Sequence, residues 1–310
     1  MKGRVYKSTG SWYLVKADDG RFYHARLKGI FKIDGITSTN PIAVGDEVEL
    51  ELSLEGETDA MIVKILPRHN YIARSSPHHI KQHHIIAANV GQAILFASLK
   101  NPKTSLGFID RFLVTAEAFH IPAKIIFNKA DIYQKKELQQ IESIKKIYPS
   151  LGYPVFFVSV TMRTGLEELR KIFDHTTTLI TGNSGVGKSS FINFLSPSIN
   201  LKTMEVSQWS GKGMHTTTFA EMHDIPGLQD ARIIDTPGIR EFGMADMEKQ
   251  EISHYFPEMR DRLNECRFNN CLHIDEPGCA IKAAAEKGEI FMERYISYLK
   301  IMDSIQENEF

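Results

Sequence analysis

The first seventy residues show short apolar runs separated by turns. The runs lie at residues 12–15, 22–25, 44–50 and 61–66, and Asp18-Asp19-Gly20 marks one of the turns. Short runs at this spacing predict a small barrel of five β-strands, of the oligonucleotide-binding (OB) type. Such a barrel binds nucleic acid or contacts only protein. Its aromatic residues do not decide between the two, because they also suit a core.

A polar stretch rich in histidine follows the predicted barrel, residues 1–70. We predict a linker at residues 71–84, and five of the twelve histidines lie in or just before it: His69, His78, His79, His83 and His84. Metal binding is one use for such a group. Arginine and lysine lie among these histidines and no cysteine is near, so the composition favours a mobile, partly cationic connector, for which RNA contact is one use.

Residues 85–247 alternate apolar runs with amphipathic stretches. Strands are predicted at residues 93–97, 124–127, 155–158, 177–180 and 232–234, and helices at residues 107–119 and 134–147. This alternation is typical of a doubly wound parallel sheet, which binds ligands at the carboxyl ends of its strands. We therefore expect an α/β domain with a site at that edge.

A glycine-rich segment follows the predicted strand at residues 177–180 and precedes a short helical run. It matches the phosphate-loop pattern GxxxxGK[ST] with Gly182, Asn183, Ser184, Gly185, Val186, Gly187, Lys188 and Ser189. Its backbone N–H groups wrap phosphates, Lys188 neutralises their charge, and Ser189 offers a hydroxyl to Mg²⁺. Downstream, Asp235-Thr236-Pro237-Gly238 closes another strand, where Asp235 supports the Mg²⁺ shell and Gly238 senses the γ-phosphate.

The choice between ATP and GTP depends on a second pair of loops. Asn128-Lys129-Ala130-Asp131 follows one apolar strand, and Ser159-Val160 follows the next. A carboxylate at Asp131 accepts both the N1–H and the N2–H of guanine, a donor pair that adenine lacks. The four-residue motif alone is weak evidence for guanine binding, and Val160 is the weakest match in the second loop. An ATPase in which the motif occurs by chance is therefore one alternative.

The segment between the phosphate loop and Asp235 reads as a switch. One threonine of Thr216, Thr217 and Thr218 completes the Mg²⁺ shell when the γ-phosphate is present, and we take Thr217 as the candidate. Ile239 stands where many GTPases carry a water-positioning glutamine, so unassisted hydrolysis is predicted to be slow. His215 is the catalytic candidate beside Lys188; the alternative is that it only packs in the switch.

All three cysteines lie near the carboxyl end, which argues against a disulfide framework. Cys266, Cys271, His273 and Cys279 offer three thiolates and one imidazole, which suit tetrahedral zinc in a closed, structural site. The helical patterns at residues 248–256 and 280–299 are too few to bury a core unaided, so zinc is expected to stabilise this domain, residues 248–310. Free buried cysteines are the alternative.

Composition limits how the protein can contact RNA and where in the cell we expect it. The 310 residues carry 37 Lys and Arg against 38 Asp and Glu, a net charge of -1, so any RNA contact must use local patches. No apolar run of 18 residues occurs and no apolar segment follows Met1, so we expect a cytoplasmic protein that does not span a membrane. We also expect a monomer.

The motifs occur in a rotated order, because the base-reading loops precede the phosphate loop. With the His215–Thr218 stretch, the segment from Asp235 to Phe242 and the cysteine cluster, this order resembles the circularly permuted GTPases that assist maturation of the small ribosomal subunit in bacteria. The resemblance implies an OB barrel, a permuted GTPase core and a mostly helical zinc domain. It also implies late maturation of the small (30S) subunit, rRNA binding, and GTP turnover stimulated by that subunit.

The resemblance also assigns site residues. It implies guanine reading by Asn128, Lys129 and Asp131, phosphate and Mg²⁺ binding from Gly182 through Ser190, and zinc binding by the cysteine cluster. The departure at Val160 affects only a minor contact to the base. A protein that binds GTP as a structural ligand and acts as a non-enzymatic RNA-binding adaptor is the alternative from another class.

Overall fold

The computed structural model describes residues 1–28, 41–52, 58–75, 83–199, 220–235 and 247–305. Within these ranges, no helix combines the length and the apolar character needed to cross a membrane.

The amino-terminal strands close into the predicted five-stranded barrel. They are β1 (Lys2–Ser8), β2 (Tyr13–Ala17), β3 (Phe22–Leu27), β4 (Glu47–Leu52) and β5 (Asp59–Ile65). Their spatial order is β1-β2-β3-β5-β4, and β4 returns to pair with β1. Alternate residues such as Val5, Val15 and Ile62 point inward and are fully buried. The order and the closure confirm an OB-type barrel.

The described part of residues 71–84 is strand. β6 (Tyr71–Ser75) pairs antiparallel with β7 (His83–Ala88), and Ile72 and Ile85 are buried. Polar and histidine residues interrupt the apolar pattern here, so the sequence resembles a connector although several side chains are buried. Just before this two-stranded ribbon of β6 and β7, the guanidinium of Arg68 binds the buried carboxylate of Asp46 at 2.6 Å. This ion pair fixes the chain where it leaves the barrel.

The central sheet contains the five predicted strands and one more. They are β8 (Gln92–Ala97), β9 (Ala123–Phe127), β10 (Val155–Phe157), β11 (Thr177–Gly182), β12 (Glu221–Asp224) and β13 (Arg232–Asp235). The order is β10-β9-β8-β11-β13-β12, parallel except for the antiparallel edge strand β12. Three of the four residues in β12 are polar, so no apolar run marks it in the sequence.

Helices cover both faces of this sheet, which confirms the doubly wound prediction. α1 (Leu106–Ala118) and α2 (Lys135–Ser150) pack on one face, and α3 (Leu166–Arg170) and α4 (Lys188–Leu195) on the other. Successive residues of β8 alternate between the two cores, with Leu95 in the first and Phe96 in the second.

The barrel and the central sheet are continuous. Lys7 of β1 pairs with Glu221 of β12, which joins the two into one sheet of eleven strands. Asp224 of β12 accepts a hydrogen bond from the Tyr6 hydroxyl at 2.6 Å and forms an ion pair with Lys16 at 2.6 Å. Backbone pairing and side-chain charge therefore both stabilise the junction between the barrel and the central sheet.

The carboxyl-terminal region is mostly helical. It contains a 3₁₀ helix (Lys249–Tyr255), α5 (Pro257–Arg260), α6 (Ala280–Glu286) and α7 (Met292–Ser304). The helical run predicted at residues 280–299 is broken, because Gly288 adopts φ +74°, a left-handed conformation that ends a helix. Val114 of α1 belongs to the core of this region, so the helices pack directly on the GTPase domain.

A buried arginine fixes that contact. Arg294 of α7 binds Asp110 of α1 at 2.8 Å and Glu258 of α5 at 2.7 Å, and its side chain is 1% exposed. The Tyr148 hydroxyl of α2 also donates to Asp110 at 3.0 Å. Two helices of the central domain and two of the carboxyl-terminal region thus meet at one buried ionic group.

Candidate nucleotide-binding site

The phosphate loop lies where the sequence predicts, between the central strand β11 and the amino end of α4. Gly187 is the residue before the helix, which starts at Lys188. The Lys188 ammonium donates to the carbonyl oxygens of Gly182 at 2.7 Å and Asn183 at 2.9 Å. Burial lowers the pKa of Lys188, and the nearby carboxylate of Asp235 opposes that shift. A further anion bound beside this ammonium, in addition to Asp235, would therefore stabilise its charged form.

Two glycines of the loop are required by close approaches of neighbouring atoms as well as by phosphate access. A Cβ on Gly182 would lie 2.1 Å from the carbonyl oxygen of Phe96, and a Cβ on Gly187 would lie 2.3 Å from Asn128 Nδ2. Gly187 also has φ +100°, which a side chain disfavours. The loop therefore packs against the end of β8 and against the predicted base-reading motif.

Asn128 joins the three loops of the site. Its Nδ2 donates to the Val186 carbonyl at 2.9 Å, and its Oδ1 accepts from the Val160 N–H at 3.0 Å. Asn128 is buried. The contact uses the main chain of Val160, so it does not depend on which side chain stands there.

Asp131 lies at the exposed end of the site. Its Oδ1 accepts a 2.5 Å hydrogen bond from the Ser159 hydroxyl, whose oxygen accepts the Met162 N–H at 3.0 Å. Ser159 is buried, whereas Asp131 is exposed to solvent. The serine thus orients the carboxylate that the sequence predicts to bind guanine.

Lys129 and Ala130 complete this turn. Lys129 adopts a left-handed conformation with φ +66°, and its ammonium donates to the carbonyl oxygen of Asn101. The N–H of Ala130 donates to the carbonyl oxygen of Val158 at 3.0 Å. The turn is therefore held from both neighbouring strands.

Oxygen donors suitable for Mg²⁺ lie beside the phosphate loop. Ser189 and Ser190 occupy the first turn of α4, and Asp235 ends β13 in register with Ile180 of β11. Hydroxyl and carboxylate oxygens suit this ion. The candidates His215, Thr217 and Gly238 lie outside the described residues.

The cysteine cluster is assembled as the sequence predicts. The ligand atoms of Cys266, Cys271, His273 and Cys279 all lie within 4.8 Å of one another. His273 Nδ1 is 3.5 Å from the sulfurs of Cys266 and Cys279. Burial and the neighbouring thiols raise the pKa of the Cys271 thiol to about 12, so the thiolate form requires a compensating cation. This convergence favours a metal site over free buried cysteines.

The protein chain around the cluster is also fixed. The Tyr295 hydroxyl donates to the His273 carbonyl and the Tyr298 hydroxyl to the Leu272 carbonyl, each at 2.7 Å. The Lys282 N–H at the start of α6 donates to the Cys279 sulfur at 3.3 Å. Helix α7 and the amino end of α6 therefore position the candidate metal ligands.

Comparison with known proteins decides the family. Residues 65–245 match the family model described as RsgA GTPase, and residues 2–62 match the RsgA N-terminal domain. The chain belongs to the RsgA GTPase family. Like other members of the family it is a GTP hydrolase, which favours the enzyme over the adaptor and the ATPase.

Similarity to individual RsgA proteins extends over the whole chain. A protein from Christiangramia forsetii named "Small ribosomal subunit biogenesis GTPase RsgA" is 51% identical, covering 99% of this chain and 98% of its own length. A protein of the same name from Bacteroides fragilis is 48% identical over 100% of this chain and 99% of its own length.

Solved structures agree with this RsgA assignment. The crystal structure of YjeQ from Thermotoga maritima matches with a TM-score of 0.78 at 31% identity, covering 97% of each chain. A structure described as YloQ, a circularly permuted GTPase, matches with a TM-score of 0.74 at 28% identity, covering 100% of this chain and 96% of that one. The rotated motif order is thus shared with a permuted GTPase.

Proposed function

We propose that this GTPase assists late maturation of the small (30S) ribosomal subunit and that binding to the subunit stimulates its GTP turnover. One observation carries the proposal: relatives about half identical over nearly their full length are named for small-subunit biogenesis. The similarity includes the barrel, the core and the cysteine cluster together. A core alone would support GTP hydrolysis without indicating a partner.

The barrel surface supports contact with rRNA. Trp12 is 42% exposed, and the guanidinium of Arg26 lies 3.5 Å from its ring centroid. Phe22 is exposed to the same degree, and the Lys16 ammonium, which also pairs with Asp224, lies 5.8 Å from its ring centroid. Exposed aromatic rings beside cations are suited to stacking on unpaired bases while neutralising phosphates.

The assigned roles in the nucleotide site follow from the chemistry of each group. Asp131 reads guanine N1–H and N2–H, with Asn128, Lys129, Ala130, Ser159 and Val160 framing the base. The loop from Gly182 to Ser190 binds the phosphates, and Lys188 neutralises charge that develops between them. Ser189, Asp235 and Thr217 would hold Mg²⁺, which would supply further neutralisation of the phosphate charge. Gly238 senses the γ-phosphate.

Low basal turnover follows from Ile239, because an alkyl side chain cannot orient a water molecule. We place that role on His215, acting when the ribosomal subunit is bound. The proposed metal of the cysteine cluster is zinc, and the proposed form is a cytoplasmic monomer that exchanges GTP and GDP.

Turnover with purified ribosomal subunits tests the proposal. We expect 30S subunits, but not large subunits, to raise the GTP turnover rate at least about tenfold, or roughly 1.4 kcal/mol of barrier. Unchanged turnover with 30S subunits would contradict the proposal and leave the GTPase assignment intact.

A histidine variant tests the catalytic assignment separately. His215→Ala should lose most of the stimulation while keeping its affinity for GTP, and His175→Ala, at an exposed histidine, is the control. Full stimulation of the His215 variant would remove His215 from the mechanism.

A further inference from the structure

Tyr133 lies at the end of the turn that carries Asp131. The 3₁₀ turn Ala130–Ile132 ends at Tyr133, whose N–H donates to the Ala130 carbonyl at 3.4 Å. The side chain then returns to the start of the motif, where its hydroxyl donates to the Asn128 carbonyl at 2.5 Å. The main chain from Asn128 to Tyr133 is thereby closed into a ring.

The same hydroxyl is bound from the other side by the loop after β8. The Leu99 N–H donates to the Tyr133 oxygen at 3.1 Å. We call residues 98–104 the bracket loop. It is internally fixed, since Thr104 N–H donates to the Ser98 carbonyl at 2.7 Å and Ser98 N–H to the Thr104 hydroxyl at 3.1 Å.

The bracket loop also holds the second residue of the motif. Its Asn101 carbonyl accepts the Lys129 ammonium, and its Pro102 lies close to Gly185 of the phosphate loop. Lys129 has φ +66°, a conformation that a lysine keeps only when its surroundings fix it. The bracket loop therefore binds Lys129 within the guanine motif and Tyr133 just after it, and the Tyr133 hydroxyl joins this loop to the Asn128 carbonyl.

We propose that Tyr133 is a positioning residue for guanine recognition, acting by fixing the turn that presents Asp131 to the base. The inference rests on the proposed role of Asp131. The Tyr133 hydroxyl is engaged by the Asn128 carbonyl and the Leu99 N–H, so it acts through the turn and determines where the Asp131 carboxylate lies relative to Asn128. Burial raises the pKa of Tyr133, so the hydroxyl remains a donor throughout the neutral range.

Tyr133→Phe tests this, because the ring stays and only the hydroxyl is removed. Affinities for GTP, GDP and inosine triphosphate are measured by calorimetric titration. We expect GTP and GDP to bind about fivefold more weakly, the effect of one lost hydrogen bond. Inosine lacks the 2-amino group and so one of the two Asp131 contacts. Inosine triphosphate should therefore lose less affinity, and the preference for GTP over it should shrink.

Tyr153→Phe is the matched control. Its hydroxyl donates to Glu117 at 3.1 Å in the same domain, away from the base loops. We expect unchanged nucleotide affinities in that variant and similar melting temperatures in both. Equal loss of GTP and inosine triphosphate in Tyr133→Phe, or no loss of either, would overturn the proposal. Asp131→Asn, measured in parallel, separates this failure from failure of the base-reading assignment itself.

Discussion

Asp131 is the residue on which the choice of nucleotide depends in our proposal. Asp131→Asn replaces an acceptor with an amide that donates toward the 2-amino group, leaving guanine donors unpaired at a cost of about 1–3 kcal/mol. We expect at least about tenfold weaker GTP binding and a shift of preference toward xanthosine triphosphate. Competition titration measures both, with Asp261→Asn at an exposed position as the control. Parent-like GTP affinity in the Asp131 variant would remove its role.

The functional residues at the strand ends could be predicted from the sequence, but the contacts between them could not. GxxxxGK[ST] and Asn-Lys-x-Asp mark their own loops because the chemistry needs those side chains at fixed spacing. Nothing in the sequence indicates that Asn128 meets Val186, since 58 residues separate them and folding alone brings them to 2.9 Å. The role of Tyr133 is hidden for the same reason. The individual ligand assignments stay predictions.

At the scale of elements, the predictability of a strand follows its burial. β8 is buried along its whole length and reads as an apolar run. β12, at the edge of the central sheet, has three polar residues out of four and gives no such signal. The ribbon of β6 and β7 was concealed by histidines in the same way. The domain limits at residues 70, 84 and 247 remain predictions.

The cysteine loop, residues 266–279, is the element whose stability we expect to depend on metal. His273→Ala leaves three thiolates and should lower bound zinc well below the parent value of about one per chain. The carboxyl-terminal helices should then become sensitive to protease, while GTP affinity changes less than about twofold. Metal analysis and limited proteolysis measure this, with exposed His254→Ala as the control. Freshly purified parent protein without zinc would contradict the assignment.

At the scale of the whole molecule, the carboxyl-terminal region is fixed to the core by charge as well as by packing. Arg294→Met leaves the buried carboxylates of Asp110 and Glu258 without their counter-ion. Removing one partner of a buried ion pair lowers the free energy of unfolding by about 3–5 kcal/mol. We expect a large fall in melting temperature, measured by circular dichroism.

Arg260→Met provides the comparison, because that arginine pairs with Glu117 across the same two regions at 3.2 Å but is half exposed. Its loss should cost less than about 1 kcal/mol. Equal effects of the two substitutions would show that burial of the ion pair is not what matters.

The pairing of β1 with β12 has a consequence for self-association. A sheet edge with open N–H and C=O groups is a template on which another chain can add a strand. In the central domain β12 is such an edge, and β1 covers one end of it through the Lys7–Glu221 pair. The barrel therefore shields its neighbour from intermolecular strand addition. A core expressed without the barrel would lose this cover from β12, so the barrel limits strand addition at the same place where it is attached.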